Sequence, residues 1–524
     1  MKHKSPNFFN SLLSFSKIKI KENRTPLIAA LIAGFLAHFY IFTNKLPNHD
    51  DVMNLFTKGA TVDSGRWALS LLSYIFPDFS MSWLYGIITL LLVACAGCIM
   101  LRLLKVQNKI LQVILISQVV VFPSLTSLYA YMFTSSCYGV AFLMSTLCAY
   151  LITSDNKWKK LSAYPFMIFT LAIYQPYLAI TSTLLLIHII QQIIRKECRP
   201  RVLWIRGLTY VVFLVSSAIL YYLSVHIVLF LTRSQFNDYA SSSLSLDLKT
   251  LFTRVVDTYY CFMYFFTRGY QGVLYTPLLR MVTMILLVIG GGYYLFFFCK
   301  ASLGNKILLL ICALVFPMCI NCMYLLFAPE SIHTLVVYSY VCIYFLVAVL
   351  VEESCTSSDS QQNLHIFSPI NHHIKTHIAP LLLIFTVISF IYLANETYLR
   401  LQLSYENTYS FYTSLCADLA NNPDFDENTT VAIIGQPPEN AAERAEFEDI
   451  TLIGSYGMVI RSHSKQHFIN YYIGLDVDFA SREEEADLAA TITFKEMPPY
   501  PYYGSIKKIG DYLVVKLGDP SSSD

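Results

Sequence analysis

The residues with the clearest chemical potential are two adjacent carboxylates, Asp50 and Asp51, which follow the first long apolar segment and are preceded by Asn48 and His49. Ionisable side chains beside a membrane segment are costly to place and often mark the point where a substrate is handled. One carboxylate could act as a general base, and mutual repulsion predicts a raised pKa for one of the two. Asn48 and Asp50 also suit an ordinary turn after Pro47, so a solvated loop is the alternative.

Cationic side chains accompany these carboxylates outside the apolar segments, and a guanidinium can pair with two phosphate oxygens at once. The candidates are Arg66, Arg233, Arg254, Arg268 and Arg280. Arg280 stands at the predicted outer end of a membrane segment, where a polyprenyl phosphate would present its charge. Anchoring in lipid headgroups is the alternative role for each arginine. One base and several cations would suffice for attack by a hydroxyl on a sugar phosphate, because the phosphate leaves without the acid that glycoside hydrolysis needs.

Other polar residues could contact a sugar substrate. The predicted substrate contacts, besides the arginines, are Asn48, His49, Trp67, Tyr174, Gln175, Glu330 and His333. Tyr174 and Gln175 precede a proline at a predicted outer helix junction, where they could hydrogen-bond sugar hydroxyls. A turn ended by the proline is the alternative for that stretch.

Two groups of ionisable residues lie further along the chain. Glu330 and His333 could form a second acid/base pair, or they could simply be solvated. His372, His373 and His377 fall in a predicted cytoplasmic loop without matching acids or thiols, so the metal signal there is weak. The sequence therefore predicts no metal ligands, although a divalent cation at the aspartates remains possible.

The composition indicates a membrane protein with many spans. Of the 524 residues, 55% are hydrophobic and only 14% are charged, whereas about a quarter are charged in an average soluble domain. The 37 tyrosines and 36 phenylalanines suit many segment ends at the water-lipid interface. Most of the 13 cysteines lie inside apolar segments, where they are predicted to be small core residues rather than disulfide, redox or metal sites.

Apolar segments of about 20 residues predict about eleven transmembrane helices. The predicted spans are 27–43, 82–104, 109–123, 130–152, 162–174, 176–194, 207–231, 278–299, 306–327, 332–351 and 378–395. The fifth is short for a full crossing. Lysines and arginines nevertheless fall in alternate loops only if it is counted, so the positive-inside rule supports it as a span.

The same rule predicts the side of each loop. The basic N-terminus, residues 1–26, is predicted to be cytoplasmic, whereas the outer loops 44–81 and 232–277 and the tail 396–524 are predicted to face outward. The tail carries a net charge of −12 and the rest of the chain +14. Since the bases are scattered among short loops, this asymmetry indicates two environments rather than a nucleic-acid partner.

The domains predicted are therefore the basic N-terminus 1–26, a transmembrane domain 27–395 and a soluble tail 396–524. An interfacial helix is expected over 64–76, and the 46-residue loop 232–277 is expected to contain an amphipathic or re-entrant segment. In the tail, a polar helix over 401–421 and strands at 430–434 and 511–517 predict a small α/β domain outside the membrane. The predicted fold class is a polytopic all-α membrane protein with this domain at its end.

Several short motifs together resemble a known family. They are Asn48-His49-Asp50-Asp51, Gly65-Arg66-Trp67, Tyr174-Gln175-Pro176, Asn395-Glu396 and Val431-Ala432-Ile433-Ile434-Gly435. On a chain with many predicted membrane helices and an outward tail, this combination resembles the serotype-converting O-antigen glucosyltransferases of enteric bacteria and their phages. The resemblance covers most of the chain, and its sharpest motifs lie in the first third.

The resemblance implies a GT-C type glycosyltransferase of the bacterial inner membrane. It implies a polyprenyl-phosphate glucose donor and a lipid-linked O-antigen (lipopolysaccharide) acceptor on the periplasmic side. It also implies two partner proteins, a flippase for the lipid-linked glucose and a synthase that makes it. In GT-C enzymes an acidic residue of the first outer loop is the typical base, which points to Asp50 or Asp51, with Asp51 preferred. Many relatives have acid-x-acid at this place, where this chain has adjacent aspartates.

Two other functions fit parts of the pattern. A transporter or flippase of lipid-linked sugars would share the helices and arginines, but transporters usually place polar groups at the bilayer midplane in two related halves. Here the polar candidates collect at the outer ends of the helices, and the chain has no visible two-fold repeat, which favours the enzyme. A membrane sensor that used its tail as a ligand domain would make the aspartate loop dispensable.

Overall fold

A helical bundle and a small C-terminal sheet make up the computed structural model of the chain. The structure describes residues 24–59, 61–236, 248–269, 272–327, 329, 332–358, 373–426, 428–437 and 460–519. The predicted features at Glu330, at His372 and in the N-terminal segment before residue 24 lie outside the described residues.

Helices account for most of the described chain up to residue 420. They are α1 (Arg24–Thr43), α2 (His49–Met53), α3 (Trp67–Leu72), α4 (Ser82–Leu103), α5 (Lys109–Val121), α6 (Pro123–Ala130), α7 (Met132–Ile152), α8 (Lys157–Ile173), α9 (Leu178–Ile194), α10 (Pro200–Thr232), α11 (Leu248–Arg268), α12 (Pro277–Lys300), α13 (Leu303–Ile320), α14 (Val341–Ser358) and α15 (Ala379–Ala420). Most of the long helices contain long apolar stretches with few charged residues, as expected for segments that pack against one another and against lipid.

Ten helical segments among the described residues are long and apolar enough to cross a membrane. They are Arg24–Thr43, Ser82–Leu103, Lys109–Ala130, Met132–Ile152, Gln175–Ile194, Pro200–Thr232, Pro277–Lys300, Leu303–Ile320, Thr334–Cys355 and Ala379–Ala420. These ten correspond to ten of the eleven predicted spans. The multi-pass membrane character expected from the composition is therefore confirmed.

The remaining predicted span, 162–174, corresponds to α8. Its 17 residues are about 26 Å long, slightly less than a bilayer core of about 30 Å. Asp155, just before α8, lies 3.5 Å from Arg206 near the start of α10. Phe169, near the end of α8, packs on Trp67, whose indole donates to Ser224 near the end of α10. Helix α8 therefore runs across the bundle beside α10, between the same two faces.

Helices α1 and α4 approach closely at a glycine. A Cβ at Gly86 would overlap the ring of Phe42 on α1, so only a residue without a side chain allows this packing. By contrast, a Cβ at Gly292 on α12 would meet no atom within 4 Å. Gly86 is therefore a packing residue of the bundle, whereas Gly292 is not.

This difference gives a matched pair of variants. Gly86→Ala is expected to destabilise the protein by about 1 to 3 kcal/mol, because the added methyl group must displace an aromatic ring in a packed core. Gly292→Ala is expected to leave stability unchanged or slightly improved, since alanine favours helix over glycine. Thermal unfolding of both purified variants in detergent would measure the difference. Equal melting temperatures for the two variants would contradict the assigned packing.

Helix α15 continues without a break through residues 395 and 396, so the separate helix predicted at 401–421 is wrong, while the domain boundary at 395/396 stays a prediction. The reason is that Asn395 and Glu396 interrupt the apolar pattern without interrupting the helix. The buried His38 on α1 contacts α15 near the middle of that helix. Its Nδ1 lies 2.7 Å from the Tyr398 hydroxyl, and its Nε2 lies 2.8 Å from the carbonyl of Val120.

A four-stranded sheet follows α15, in the order β2 (Asp478–Phe479), β1 (Thr430–Ile434), β4 (Tyr512–Lys516) and β3 (Ile506–Ile509). Strand β1 pairs in parallel with β2 and β4, and β3 pairs antiparallel with β4. The two strands predicted from the sequence are thus confirmed as β1 and β4. Tyr500 joins the domain to α15, because its hydroxyl donates to Asp418 at 2.8 Å.

The two loops predicted to face outward each contain a helix. In loop 44–81, α3 covers only part of the predicted helix over 64–76, because the chain turns at Gly65 before it and at Ser73 after it. The exposed side chains of Leu71, Tyr74 and Ile75 lie on its outer surface. In loop 232–277, α11 is the predicted amphipathic segment.

Candidate functional site

The two adjacent aspartates lie on the short helix α2, which directs their side chains to different surroundings. Asn48 caps this helix, and its side-chain oxygen accepts a hydrogen bond of 2.8 Å from the backbone N–H of Asp51. Successive helical residues point about 100° apart, so Asp50 and Asp51 face different surroundings. The side chain of Asp51 is 1% exposed, whereas that of Asp50 is 42% exposed.

Asp51 is enclosed by donors from three parts of the chain. Its carboxylate forms an ion pair with Lys45 and accepts hydrogen bonds from Ser80 Oγ at 2.5 Å and from the backbone N–H of Phe133 at 3.0 Å. Lys45 also donates to Ser80 at 2.6 Å. These contacts tie the outer loop to the start of α7 and leave Asp51 facing protein rather than the open side of the site.

Asp50 faces two imidazoles on the open side. Its Oδ1 lies 3.7 Å from His49 Nε2 and 3.8 Å from His463 Nε2. Burial alone would raise the pKa of Asp50, but His463, His49 and Arg461 together lower that pKa below its usual value. The pKa of Asp50 is therefore shifted in the direction opposite to the one expected from two adjacent carboxylates. Asp50 is therefore ionised at neutral pH.

The pKa values of two histidines near Asp50, His49 and His333, are lowered. Burial lowers the pKa of His49 to about 4, and the charges of Arg461, His463 and His333 add to this effect, while Asp50 opposes it. The pKa of His333 is also lowered, chiefly by burial and then by Arg461. His333 therefore belongs to the same electrostatic neighbourhood as Asp50.

Two residues of the site, Arg461 and His463, come from the tail and were not predicted. More than 400 residues separate them from Asp50, and no motif links them. The only signal in the sequence was a short cluster of basic and imidazole side chains within a tail of net charge −12. This cluster consists of Arg461, His463, Lys465 and His467.

Arg66 forms a second part of the site with aromatic residues. Its Nη1 donates to the Tyr138 hydroxyl at 2.9 Å, and its Nε donates to Ser64 Oγ at 2.9 Å. Tyr138 stacks on Tyr174, with ring centroids 4.2 Å apart. Two stretches that carry predicted substrate contacts, near residues 66 and 174, are thus adjacent in the fold.

The hydroxyl of Tyr221 connects the same two stretches, because it hydrogen-bonds to both Gly65 and Gln175. Gln175 Nε2 donates to the Tyr221 hydroxyl at 2.9 Å, and that hydroxyl donates to the carbonyl of Gly65 at 3.1 Å. Gly65 has φ = +75°, and a Cβ there would lie 2.9 Å from the same hydroxyl, so glycine is required. Trp67 faces away from this contact, toward Ser224 and Phe169.

The two parts of the site meet at the start of α7. Phe133 holds Asp51 through its backbone N–H, and Tyr138 holds Arg66 through its hydroxyl. Both contacts therefore come from the first two turns of the same helix. Tyr131 lies between them, and its pKa is raised by burial and by the charge of Asp50.

The other predicted arginines are placed on different elements. Arg233 ends α10, Arg254 pairs with Asp257 at 3.7 Å on α11, and Arg268 ends α11. Arg280 lies in the first turn of α12, with its Cδ close to the position of a Cβ at Gly269. The structure therefore brings Arg66 and the unpredicted Arg461 into the site, and positions these four on the helices around loop 232–277.

Comparison with known proteins gives one match. The model of the family described as Glucosyl transferase GtrII matches residues 39–351. No curated protein and no solved structure matches the chain. The matched region includes Asp50, Arg66, Tyr174 and His333, and it ends before the tail that provides Arg461.

Proposed function

The chain belongs to the GtrII glucosyl transferase family, which confirms the family predicted from the sequence, and we propose a specific reaction for it. The protein transfers glucose from a polyprenyl-phosphate donor to O-antigen repeat units on the periplasmic side of the bacterial inner membrane, as a GT-C type enzyme. One observation carries the proposal. The ionised, half-exposed carboxylate of Asp50 lies beside Arg461, and Tyr131 interacts both with Asp50 and with Tyr138, the partner of Arg66.

The reaction needs few groups from the protein. An acceptor hydroxyl attacks C1 of glucose, the bond from C1 to the phosphate oxygen breaks, and its electron pair leaves with the phosphate. The hydroxyl proton must go to a base, whereas the leaving phosphate needs cations rather than an acid. Asp50 is the proposed base, and Arg461 and Arg66 are the proposed cations.

Asp50 suits the role of base better than Asp51. A base must reach the proton that it removes, and the side chain of Asp51 is enclosed by Lys45, Ser80 and Phe133. The exposed carboxylate of Asp50 has room for an acceptor hydroxyl. The preference for Asp51 stated from the sequence is therefore replaced here by Asp50, and Asp51 is proposed to position the loop.

The aromatic group around Arg66 is proposed to bind the donor. Tyr138 and Tyr174 present stacked rings beside a guanidinium, an arrangement that suits a sugar and its phosphate. Asn48 and Gln175 act mainly by shaping the site, because their side chains hydrogen-bond within the protein. His49 and His333 line the side where Asp50 is exposed.

The periplasmic location is proposed from the two faces of the bundle. Asp50 and the tail lie together at one face, as the contact with His463 requires. Basic residues such as Lys105, Lys159 and Arg206 lie at the opposite face, which the positive-inside rule assigns to the cytoplasm. A phosphatase reporter fused after Asp418 should then be active in the periplasm, and activity of a cytoplasmic reporter there would contradict the proposed orientation.

The proposal can be tested in a host that lacks other O-antigen glucosyltransferases. The host should also supply the proposed partners, a polyprenyl-phosphate glucose synthase and a flippase for the lipid-linked glucose. Glucose should appear on the O-antigen only when the full chain is expressed, as detected by mass spectrometry of purified lipopolysaccharide. Unmodified O-antigen in the presence of the folded protein and both partners would refute the proposed substrate pair.

Arg461 offers a specific test of the tail. Arg461→Gln is expected to lower kcat/KM for glucose transfer by about tenfold, because a charge-assisted contact to the phosphate is lost. Arg482→Gln, which removes an exposed arginine elsewhere in the tail, is the matched control and should have no effect. Initial rates in membranes at equal protein levels would measure both variants. Equal rates for the two variants would exclude Arg461 from the site.

A further inference from the structure

We propose that His49, Asp50 and His463 together bind one divalent transition-metal ion, with zinc as the best fit. The ion would join α2 of the membrane part to the tail. This inference concerns the same place as the proposed function but does not rest on it, because metal binding can be measured without any sugar substrate. The three side chains each offer one ligand atom, and these atoms all lie within 4.8 Å of one another.

The distances between these atoms fit an ion better than direct hydrogen bonds. Asp50 Oδ1 is 3.7 Å from His49 Nε2 and 3.8 Å from His463 Nε2, beyond the normal limit of about 3.2 Å for a hydrogen bond. Two ligands that are each about 2.1 Å from a zinc ion are about 3.4 Å apart at the tetrahedral angle. A contraction of a few tenths of an ångström would bring the carboxylate to this spacing from each imidazole, and the ligand atoms of the two imidazoles already lie within 4.8 Å of each other.

The ligand types also favour zinc. Two imidazoles and one carboxylate form a three-ligand set that leaves a fourth position open, as in zinc sites where a water or a substrate completes the coordination. Magnesium and calcium prefer oxygen ligands, so a set with two nitrogens selects against them.

Both sides of the site are held in place before a metal binds. Asn48 fixes the first turn of α2, which carries His49 and Asp50. On the other side, the Arg461 backbone N–H donates to Ser464 Oγ at 2.9 Å and closes a short turn around His463. Lys465 then donates to the carbonyl of Ile433 at 2.5 Å, which ties this turn to the sheet domain.

Arg461 is expected to weaken the binding of the metal ion. The positive charge of Arg461 acts on both His49 and Asp50, so it must oppose the binding of a metal cation between them. Arg461→Gln should therefore bind the metal more tightly than the wild type, while it transfers glucose more slowly. These opposite directions separate the two proposals, because a general loss of structure would lower both quantities.

The experiment uses the full chain, purified in detergent and freed of metal with a chelator. Titration with zinc or cobalt should show one bound equivalent, and cobalt should give the visible absorption of a four-coordinate ion. His463→Ala and His49→Ala should each weaken binding by roughly tenfold or more, since each removes one of three ligands. His467→Ala removes a histidine of the same tail segment outside the ligand set and should bind as the wild type does.

Two results would overturn the proposal. One is wild-type protein that binds no metal after reconstitution, and the other is equal affinity for wild type and His463→Ala. If an alanine variant fails to fold, His463→Gln keeps the side-chain volume and should show the same loss of binding. Zinc should raise the melting temperature of the wild type and leave that of the His463 variants unchanged. An equal rise for all proteins would place the zinc elsewhere.

Discussion

Asp50→Asn is expected to lower the rate of glucose transfer by about 10²- to 10⁴-fold, the contribution of a well-placed general base. Asparagine has nearly the same size as aspartate but cannot accept the proton of the acceptor hydroxyl. The half-exposed position of Asp50 means that the amide can be solvated, so the protein should still fold. Single-turnover rates with the lipid-linked donor, at equal amounts of folded protein, would measure the effect.

The control for this variant is Asp50→Glu, which keeps the carboxylate and moves it by one methylene. It should retain measurable transfer, because an exposed carboxylate can adjust its position. Transfer by Asp50→Asn at the wild-type rate would refute the proposed base. If transfer is lost in Asp50→Asn but zinc binding is unchanged in it, the base proposal stands and the metal proposal fails.

Most of the fold could be predicted from the sequence, because hydropathy directly reflects the energetics of membrane insertion. Ten of the predicted spans have counterparts among the described helices, and strands β1 and β4 follow from short apolar runs between turn residues. The prediction of a separate helix at 401–421 was wrong for a physical reason. Hydropathy detects where a helix leaves the apolar environment, but α15 keeps its backbone hydrogen bonds as it leaves.

The site was only partly predictable. The stretches around Asp50, Arg66 and Tyr174 were singled out because polar residues at the ends of apolar segments are unusual. Which aspartate faces the protein could not be predicted, since it depends on Lys45 and on a distant backbone N–H. Arg461 was missed because the fold of the tail, rather than any local pattern, places it beside Asp50.

Removing either partner of the pair between Asp51, which is 1% exposed, and Lys45, which is 30% exposed, is expected to destabilise the protein, by about 3 to 5 kcal/mol where the buried carboxylate loses its cation. Asp51→Asn leaves the ammonium of Lys45 without its counter-charge, and Lys45→Met leaves a carboxylate that is 1% exposed without a cation. Both variants should show lower melting temperatures in detergent and less folded protein in membranes. Their loss of transfer should follow the loss of folded protein, unlike that of Asp50→Asn.

The double variant Lys45→Met with Asp51→Asn separates a structural role from a catalytic one. Because it removes both charges together, it should be less destabilised than the sum of the single variants, with a coupling of about 1 to 3 kcal/mol. The more exposed pair of Lys105 and Glu197, at the opposite face, is the control and should show less than about 1 kcal/mol. If Asp51 were the base, the double variant would transfer no glucose however much of it folds. Recovery of transfer along with the folded fraction would instead confirm that Asp51 holds the loop while Asp50 faces the acceptor.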